Sequence, residues 1–168
     1  MRKGLGLLVA GVLLGTPAVV AQPAPTPSTL LSAPEAAGAR AVVAAAGAAC
    51  EKANGGPFVL EPGFVTRTDL TGNGRADYII DFNYARCERR DRTACGTGGC
   101  ELSIVVALPG GKFREVFRQQ VIRYEIEPGG TMRTIRFDLH GVFCGKTGPE
   151  PCSKRQLITG QRFVFREP

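Results

Sequence analysis

Six cysteines carry the most evident covalent chemistry in this chain. An even number of cysteines in a short exported chain is typical of a disulfide framework. Four residues, Gly-Thr-Gly-Gly, separate Cys95 from Cys100, and a loop with glycine and proline separates Cys144 from Cys152, so both pairs can close tight loops. Cys50 is then left to pair with Cys87. The sequence therefore predicts three disulfides from Cys50, Cys87, Cys95, Cys100, Cys144 and Cys152.

A structural zinc site is the alternative use of these cysteines, with His140 as a further ligand. The usual zinc knuckle separates its two cysteines by two residues. Here four and seven residues lie between the members of the two close pairs. Exported thiols are also normally oxidised, so the pattern favours disulfides over zinc.

Oxygen-bearing side chains and glycines alternate in residues 69–77, which read Asp-Leu-Thr-Gly-Asn-Gly-Arg-Ala-Asp and lead into Tyr-Ile-Ile-Asp-Phe. Residues 69–82 resemble the calcium loop of FG-GAP and VCBS repeats, found in integrin α-subunit propellers. The family pattern is Asp-x-Asp/Asn-Gly-Asp-Gly-x-x-Asp before a strand, and its glycines permit the sharp turn of the loop. The resemblance implies side-chain ligands Asp69, Thr71, Asn73 and Asp77, with the backbone carbonyl of Arg75 as a fifth ligand.

The loop departs from the family pattern in its charge. Thr71 and Asn73 replace acidic residues, which leaves two carboxylates, and Ile80 stands where an EF-hand loop has its final glutamate. Fewer charges predict low calcium affinity, at a dissociation constant of about 10⁻⁴ to 10⁻³ M, which extracellular calcium still satisfies. The alternative is a metal-free hairpin loop rich in turn-forming residues. Because the match occurs once, it does not imply a propeller.

Catalytic residues are hard to find in this sequence. It has no Gly-x-Ser-x-Gly elbow, and His140 is its single histidine. Carboxylate pairs, Glu125 with Glu127 or Asp77 with Asp81, have spacings that fit strand alternation better than glycosidase chemistry. We therefore expect a non-catalytic protein without an organic cofactor, and a small hydrolase with carboxylate chemistry is kept as an alternative.

A basic segment lies between Cys87 and Cys95. Four arginines mark it as a candidate interaction surface: Arg86, Arg89, Arg90 and Arg92. A basic loop braced by disulfides can dock into the acidic cleft of a lysozyme- or protease-type hydrolase, or contact an anionic glycan. The alternative is a solvated loop with local charge pairs. No aromatic residue interleaves the arginines, which disfavours nucleic acid as a partner.

The first residues of the chain have the pattern of an export signal. Arg2 and Lys3 precede an apolar stretch from Leu5 to Leu14, and small residues end at Ala21. This is the pattern of a cleaved signal peptide over residues 1–21, too short in its apolar part to span a bilayer. An uncleaved anchor helix is the alternative. We expect a periplasmic or secreted product with no membrane span after cleavage.

The length and charge of the mature chain constrain its organisation and its partners. Cleavage would leave 147 of 168 residues, which suits one domain. It removes two basic residues from a chain of net charge +6, leaving +4. This weak positive field suits solubility, an envelope protein or an anionic glycan, whereas export argues against nucleic acid.

One helix is predicted before the strands. Residues 22–33 are rich in Pro and Ala and predict a flexible leader. Ser32 is a candidate N-cap, Pro34 fits the first turn, and the alanine-rich run to about Ala53 ends at Asn54-Gly55-Gly56. Cys50 falls on the apolar stripe of this helix, so we expect it to face the body of the domain.

After Pro57 the pattern predicts strands joined by glycine turns. The predicted strands are Phe64 to Thr68, Tyr78 to Phe82, Glu101 to Leu108, Phe113 to Gln119, Val121 to Glu127, Met132 to Leu139, Gln156 to Thr159 and Arg162 to Arg166. Closing the second hairpin on Gly129-Gly130 sets Tyr124 opposite Ile135 and Ile122 opposite Phe137. The strand from Leu102 to Leu108 is apolar on both faces, which predicts a central position under the helix.

These elements predict an α+β fold in a single domain over residues 34–168, with an N-terminal helix packed on a meandering antiparallel sheet. The functional hypothesis is an exported, non-catalytic structural or interaction module stabilised by calcium. A hydrolase inhibitor and a small hydrolase are the alternatives.

Overall fold

The computed structural model describes residues 25–90, 94–147 and 150–168. The predicted signal peptide, residues 1–21, and Arg92 of the basic segment lie outside the described residues. Two helices precede ten strands. The helices are α1 (Pro27–Ser32) and α2 (Ala37–Lys52), and the strands are β1 (Phe58–Leu60), β2 (Val65–Thr68), β3 (Asp77–Asp81), β4 (Ala85–Cys87), β5 (Cys95–Gly96), β6 (Gly99–Ala107), β7 (Phe113–Val121), β8 (Arg123–Ile126), β9 (Thr134–Leu139) and β10 (Cys152–Leu157).

Antiparallel pairing organises the strands into two main sheets. In the first sheet β6 pairs with β3 and β7, β3 also pairs with β2, and β5 forms a short hairpin with β6. The second sheet has the order β10-β9-β8. The chain crosses from the first sheet to the second at Ile122, between β7 and β8. A separate short ladder joins β1 to β4. The mixed α+β class predicted from the sequence is confirmed.

The strand β6 separates two apolar layers because its side chains alternate. Leu102, Ile104 and Val106 point into the layer between the two sheets, where Phe117 and Phe137 lie with ring centroids 4.9 Å apart. Val105 points into the layer under α2. A side-chain carbon at Gly38 of α2 would lie 2.8 Å from Val105, so glycine allows the helix to approach the sheet closely. The central position predicted for this strand is confirmed.

The start of the helical region differs from the sequence prediction. The chain is already helical over Pro27–Ser32, with Thr26 as the N-cap and Leu31 buried. Ser32 therefore ends a helix instead of capping one, and α2 begins at Ala37 after a short 3₁₀ turn. The Pro/Ala-rich leader was expected to be flexible because it lacks periodicity, but a threonine cap followed by proline starts a helical turn.

The hairpin between β8 and β9 is shifted by two residues from the predicted register. Tyr124 lies opposite Phe137, and Ile126 opposite Ile135. The prediction was wrong because it assumed a two-residue turn on Gly129-Gly130, whereas the ladder ends at the bond from the Glu127 N–H to the Thr134 carbonyl. A shift of two residues preserves the faces of a strand, so Tyr124, Ile135 and Phe137 remain on the predicted apolar face. Ile122, which was predicted on the same face, lies between β7 and β8 and is exposed.

The C-terminal segment is extended but is not a strand over the predicted range from Arg162 to Arg166. It runs beside β7, where the Phe163 N–H donates to the Val116 carbonyl at 2.9 Å, and Gln119 exchanges two side-chain bonds with the backbone of Phe165. Phe163 stacks on Phe117 at 4.8 Å. The segment thus covers the edge of β7 mainly through side-chain contacts. An alternating sequence pattern does not distinguish such contacts from backbone pairing in a sheet.

Three disulfides join the elements with the predicted pairing: Cys50–Cys87, Cys95–Cys100 and Cys144–Cys152. Cys50 is buried, as expected for a residue on the inner stripe of the helix, and its bridge fixes the end of α2 to β4. Three disulfides indicate an oxidising environment, such as the periplasm or the exterior. None of the helices in the described ranges is long and apolar enough to cross a membrane.

Candidate functional site

The loop over residues 69–77 is organised around the carboxylate of Asp69. Its Oδ1 accepts the N–H groups of Gly72 and Asn73 at 2.7 and 3.2 Å, and its Oδ2 accepts the N–H of Gly74 at 2.7 Å. Three consecutive amides therefore turn inward toward one side chain. Gly72 and Gly74 have φ of 71° and 76°, which favours glycine at both positions.

The second carboxylate, Asp77, ties the loop to the body of the protein. It is fully buried. Its Oδ2 accepts the N–H groups of Leu70 and Thr71 and the Thr71 hydroxyl at 2.9 to 3.1 Å, while its Oδ1 accepts the Ala107 N–H at 2.8 Å. Burial raises the pKa of Asp77, and the three amides oppose that increase. This carboxylate joins the start of β3, the loop and the end of β6.

The side chains of Asn73 and Thr71, two further implied calcium ligands, also have partners within the protein. The Asn73 side chain accepts the Arg75 N–H at 2.8 Å and donates to the Ala107 carbonyl at 2.9 Å. Thr71 donates its hydroxyl to Asp77. Within the described ranges no three His, Cys, Asp or Glu side chains form a group suited to a metal. The loop brings Asp69, Thr71, Asn73 and Asp77 into one hydrogen-bonded unit, which is closed by its own amides.

A pocket of about 480 Å³ borders this loop. Arg67, Arg75 and Lys112 line it together with the apolar ring of Phe113. Arg67 is paired with Glu35 at 2.8 Å, and both side chains are about half exposed. The pocket is cationic, but its charges are solvated and one of them is neutralised.

The basic segment is held by its backbone as far as Arg90. The Arg89 N–H donates to the Gly55 carbonyl at 2.7 Å, and the Arg90 N–H to the Cys87 carbonyl at 3.1 Å. Arg86 lies 3.4 Å from Glu61. Arg89 and Arg90 are exposed and form no ion pair with another described residue. The disulfide of Cys87 with Cys50 thus presents two charged side chains on a fixed backbone.

A larger groove, of about 910 Å³, lies between the outer edges of β2 and β8. One wall is the continuous stretch from Val121 to Ile126, and the opposite wall includes Gly63 and Thr66. The end of β3 and the hairpin of β5 with β6 close one side. Glycine is required in that hairpin, because a side-chain carbon at Gly99 would lie 1.9 Å from the Val121 carbonyl oxygen.

Aromatic and apolar side chains are exposed in this groove. Tyr84 is 39% exposed and Ile122 is 43% exposed, although such residues are usually buried when they have a partner surface within the chain. Tyr124 is half-buried beside them. Burial raises the pKa of Tyr124, the Thr66 hydroxyl opposes this, and the negative charge of Asp81 raises it further.

Two carboxylates line the groove, Glu125, which is paired with Arg136, and Asp81. The Oδ1 of Asp81 accepts the Asn83 N–H at 2.9 Å, and no cationic side chain among the described residues pairs with it. Burial raises the pKa of Asp81, with the Asn83 amide acting in the opposite direction. The groove therefore contains a half-buried acid without a counter-ion.

The other carboxylates considered for catalysis are paired or buried in the structure. Glu125 lies 2.7 Å from Arg136, and Glu127 pairs with Arg155. His140 accepts the Val142 N–H on its Nδ1 at 3.5 Å, where it caps a 3₁₀ turn after β9. Glu125 and Glu127 thus pair with different arginines. Asp77 and Asp81 likewise lie in different surroundings, the first in the loop and the second in the groove.

Sequence reasoning missed the groove. Its lining comes from five separate segments, and no local motif marks it. One signal could have indicated the groove. Ile122 is an apolar residue at the break between β7 and β8, and its side chain is exposed to solvent.

Comparison with family models, with curated proteins and with solved structures finds no match to this chain, so its function must be inferred from its own geometry.

Proposed function

We propose that this protein is an exported, non-catalytic binding module, periplasmic or secreted, whose partner occupies the groove between β2 and β8. The observation that carries the proposal is the exposure of Tyr84 and Ile122 in a groove of about 910 Å³. Exposed apolar residues that cluster in a concave surface are typical of binding sites in stable monomers.

The partner we propose is a protein of the envelope. Two exposed apolar side chains and a long wall of strand offer a shape suited to a polypeptide more than to a polymer of charged sugars. The three disulfides support the exported setting, because they form and persist in oxidising compartments. The Arg123 and Asp138 pair, at 2.8 Å on the outer face of β8, adds a polar rim.

This proposal is tested with oxidised protein recovered from the periplasm of an expression host. Chemical crosslinking to envelope fractions is compared for the parent and for the double variant Tyr84→Ser with Ile122→Ser. The matched control is Leu157→Ser with Val164→Ser, which removes two exposed apolar side chains outside the groove. We expect the crosslinked species to disappear in the groove variant only. Equal loss in both variants, or no loss in either, would contradict the proposal.

A second candidate function, inhibition of a lysozyme- or protease-type hydrolase, is favoured by the fixed backbone under Arg89 and Arg90. A rigid cationic loop loses little conformational entropy when it docks into an acidic cleft. Inhibition of a lysozyme and of a trypsin-like protease is measured with the parent, with Arg89→Glu plus Arg90→Glu, and with Lys154→Glu plus Arg162→Glu as control. The candidate requires inhibition that only the first pair of substitutions removes.

We also propose that calcium stabilises the loop over residues 69–77 without taking part in a reaction. Asp69 already gathers three loop amides, as the first residue of a calcium loop does, so the backbone is turned as a cation would need it. Occupancy requires Asp77 to share an oxygen that now accepts amide hydrogens. This requirement and the small number of carboxylates support the low affinity expected from the sequence.

A further inference from the structure

We infer that the groove binds an extended peptide segment of the partner, which adds as a strand to the outer edge of β8 and places a lysine or arginine side chain against Asp81. This inference rests on the proposed function, because it names the chemistry of the partner for the same groove. Three independent features of the groove carry it: a free strand edge, exposed apolar side chains and a carboxylate without a counter-ion.

The outer edge of β8 offers backbone hydrogen bonds. Hydrogen-bonded pairs alternate along an antiparallel ladder, and the Glu127 N–H donates to the Thr134 carbonyl. Glu125 therefore also bonds toward β9, whereas the backbone groups of Tyr124 and Ile126 point away from it. No described strand pairs with β8 on that side. Unpaired edges of this kind accept an added strand in many peptide complexes.

The length of this edge suits a short segment. Four residues of β8 rise about 13 Å along the strand, the span of a four-residue peptide in the same conformation. Ile122 and Tyr84 lie beside this edge. Alternate side chains of the added strand would pack on them, which gives apolar preference at positions two residues apart.

Asp81 supplies the specificity for charge. Every acidic side chain on the outer face of β8 and β9 has a basic partner within this chain, as shown by Glu125 with Arg136 at 2.7 Å. Asp81 has none among the described residues, and it lines the same groove as Tyr124 of β8. A cation from the partner would complete this pairing, and charge-assisted hydrogen bonds are stronger than neutral ones. The chain as a whole is basic, so general attraction would favour an acidic peptide instead.

The probe for this inference is a positional-scanning library of seven-residue peptides, applied to the oxidised protein. We expect enrichment of lysine and arginine at one position and of apolar residues two positions away. Asp81→Asn, which has nearly the same shape, should abolish the basic enrichment and keep the apolar one. For the best single peptide, this substitution should weaken binding at least about tenfold.

Amide hydrogen exchange of the complex tests the strand geometry. With the best peptide bound, the amides of Tyr124 and Ile126 should exchange more slowly, whereas that of Glu125, already paired with β9, should change little. Slowing at Val65 and Arg67 instead would indicate addition to β2, because those amides face away from β3. That result, or no slowing at either edge, would overturn the inference.

Failure of this inference can be separated from failure of the proposed function. If no basic residue is enriched, or if Asp81→Asn leaves the selection unchanged, the inference is wrong. The proposed function still stands in that case when Tyr84→Ser with Ile122→Ser removes the crosslinked partner and the control variant does not. When neither experiment depends on the groove, both are wrong.

Discussion

The loop over residues 69–77 and the groove between β2 and β8 use their acidic side chains in opposite ways. Asp69 and Asp77 together accept six backbone amides and one hydroxyl, all from within the chain. Asp81, only four residues after Asp77, accepts one amide and forms no ion pair with the described residues. The loop is closed on itself, whereas the groove keeps hydrogen-bonding capacity and apolar surface free.

The difference shows why a motif with recognisable chemistry need not be the binding site. The loop carries the most regular pattern in the sequence, yet its contacts fasten β3 to the end of β6. Polar groups that are satisfied inside a protein contribute to stability, whereas those left open contribute to recognition. Substitutions in the loop and in the groove should therefore have different effects on stability and on binding.

The largest contrast is expected between Asp77→Ala and Asp81→Ala. Loss of the Asp77 carboxylate leaves the buried amides of Leu70, Thr71 and Ala107 without an acceptor. Each unsatisfied group costs about 1 to 3 kcal/mol, so we expect a loss of at least about 3 kcal/mol in the free energy of unfolding. Asp81→Ala should change it by less than about 1 kcal/mol. Urea denaturation of the oxidised proteins measures both, and similar losses would break the division between the regions.

Two of the disulfides should also differ in how much they stabilise the protein, since one holds the fold together and the other lies beside the groove. Cys50–Cys87 closes 37 residues, whereas Cys95–Cys100 closes five, and its Cys100 lines the groove. In the chain-entropy model these bridges contribute about 4 and about 2 kcal/mol. Replacing each pair by alanine and measuring urea denaturation should give the larger loss for Cys50 with Cys87. The reverse order would show that the short hairpin holds the fold.

Calcium should act on the loop and leave the groove unchanged. With a dissociation constant of about 1 mM, 10 mM calcium would stabilise the folded protein by about 1.4 kcal/mol. Thermal melting with calcium and with chelator measures this shift, and Asp69→Asn should reduce it while Asp81→Asn should not. An unchanged melting midpoint across millimolar calcium would contradict calcium binding by the loop.

The smallest effect is expected in the dependence of stability on pH. Burial raises the pKa of Asp81 in the folded state, so its contribution to stability falls as pH rises from its unfolded value near 3.8 to the folded value. Asp138 acts in the opposite sense. Its pKa is lowered by the hydrogen bond from the Ser153 hydroxyl and by Arg123, so its contribution is lost as pH falls through the folded pKa.

Urea denaturation at pH 3 and pH 6 distinguishes these two carboxylates. Compared with the parent, Asp81→Asn should gain stability between pH 3 and pH 6, and Asp138→Asn should lose it. If each variant differs in stability from the parent by the same amount at pH 3 and at pH 6, neither carboxylate titrates as its surroundings predict.

The local patterns predicted much of the fold because they depend on neighbours in the chain. Glycine-containing spacers identified the close pairs Cys95–Cys100 and Cys144–Cys152, and elimination then gave Cys50–Cys87. Apolar residues on both faces of the stretch from Leu102 to Leu108 placed β6 at the centre, under α2. The loop over residues 69–77 was also visible, since its glycines and acidic residues act within nine positions.

The errors lie where distant segments decide the outcome. The turn after β8 ends at Glu127 and Thr134, two positions from the predicted register, because packing of Tyr124 and Ile126 on the apolar layer between the two sheets selects among registers with the same faces. The short strands β1 and β4 were not predicted. Their pairing depends on each other and on the disulfide of Cys87, which no local pattern encodes.

The sequence by itself determined the disulfide pairs, the main strands and the loop around Asp69, since spacing and turn residues fix such features locally. Only the tertiary structure decided how the acidic residues are used. Asp77 and Asp81 are equivalent in a strand pattern, yet one meets the end of β6 and the other faces the open edge of β8. The physical reason is that satisfaction of a buried polar group depends on which distant amides and charges the fold brings to it.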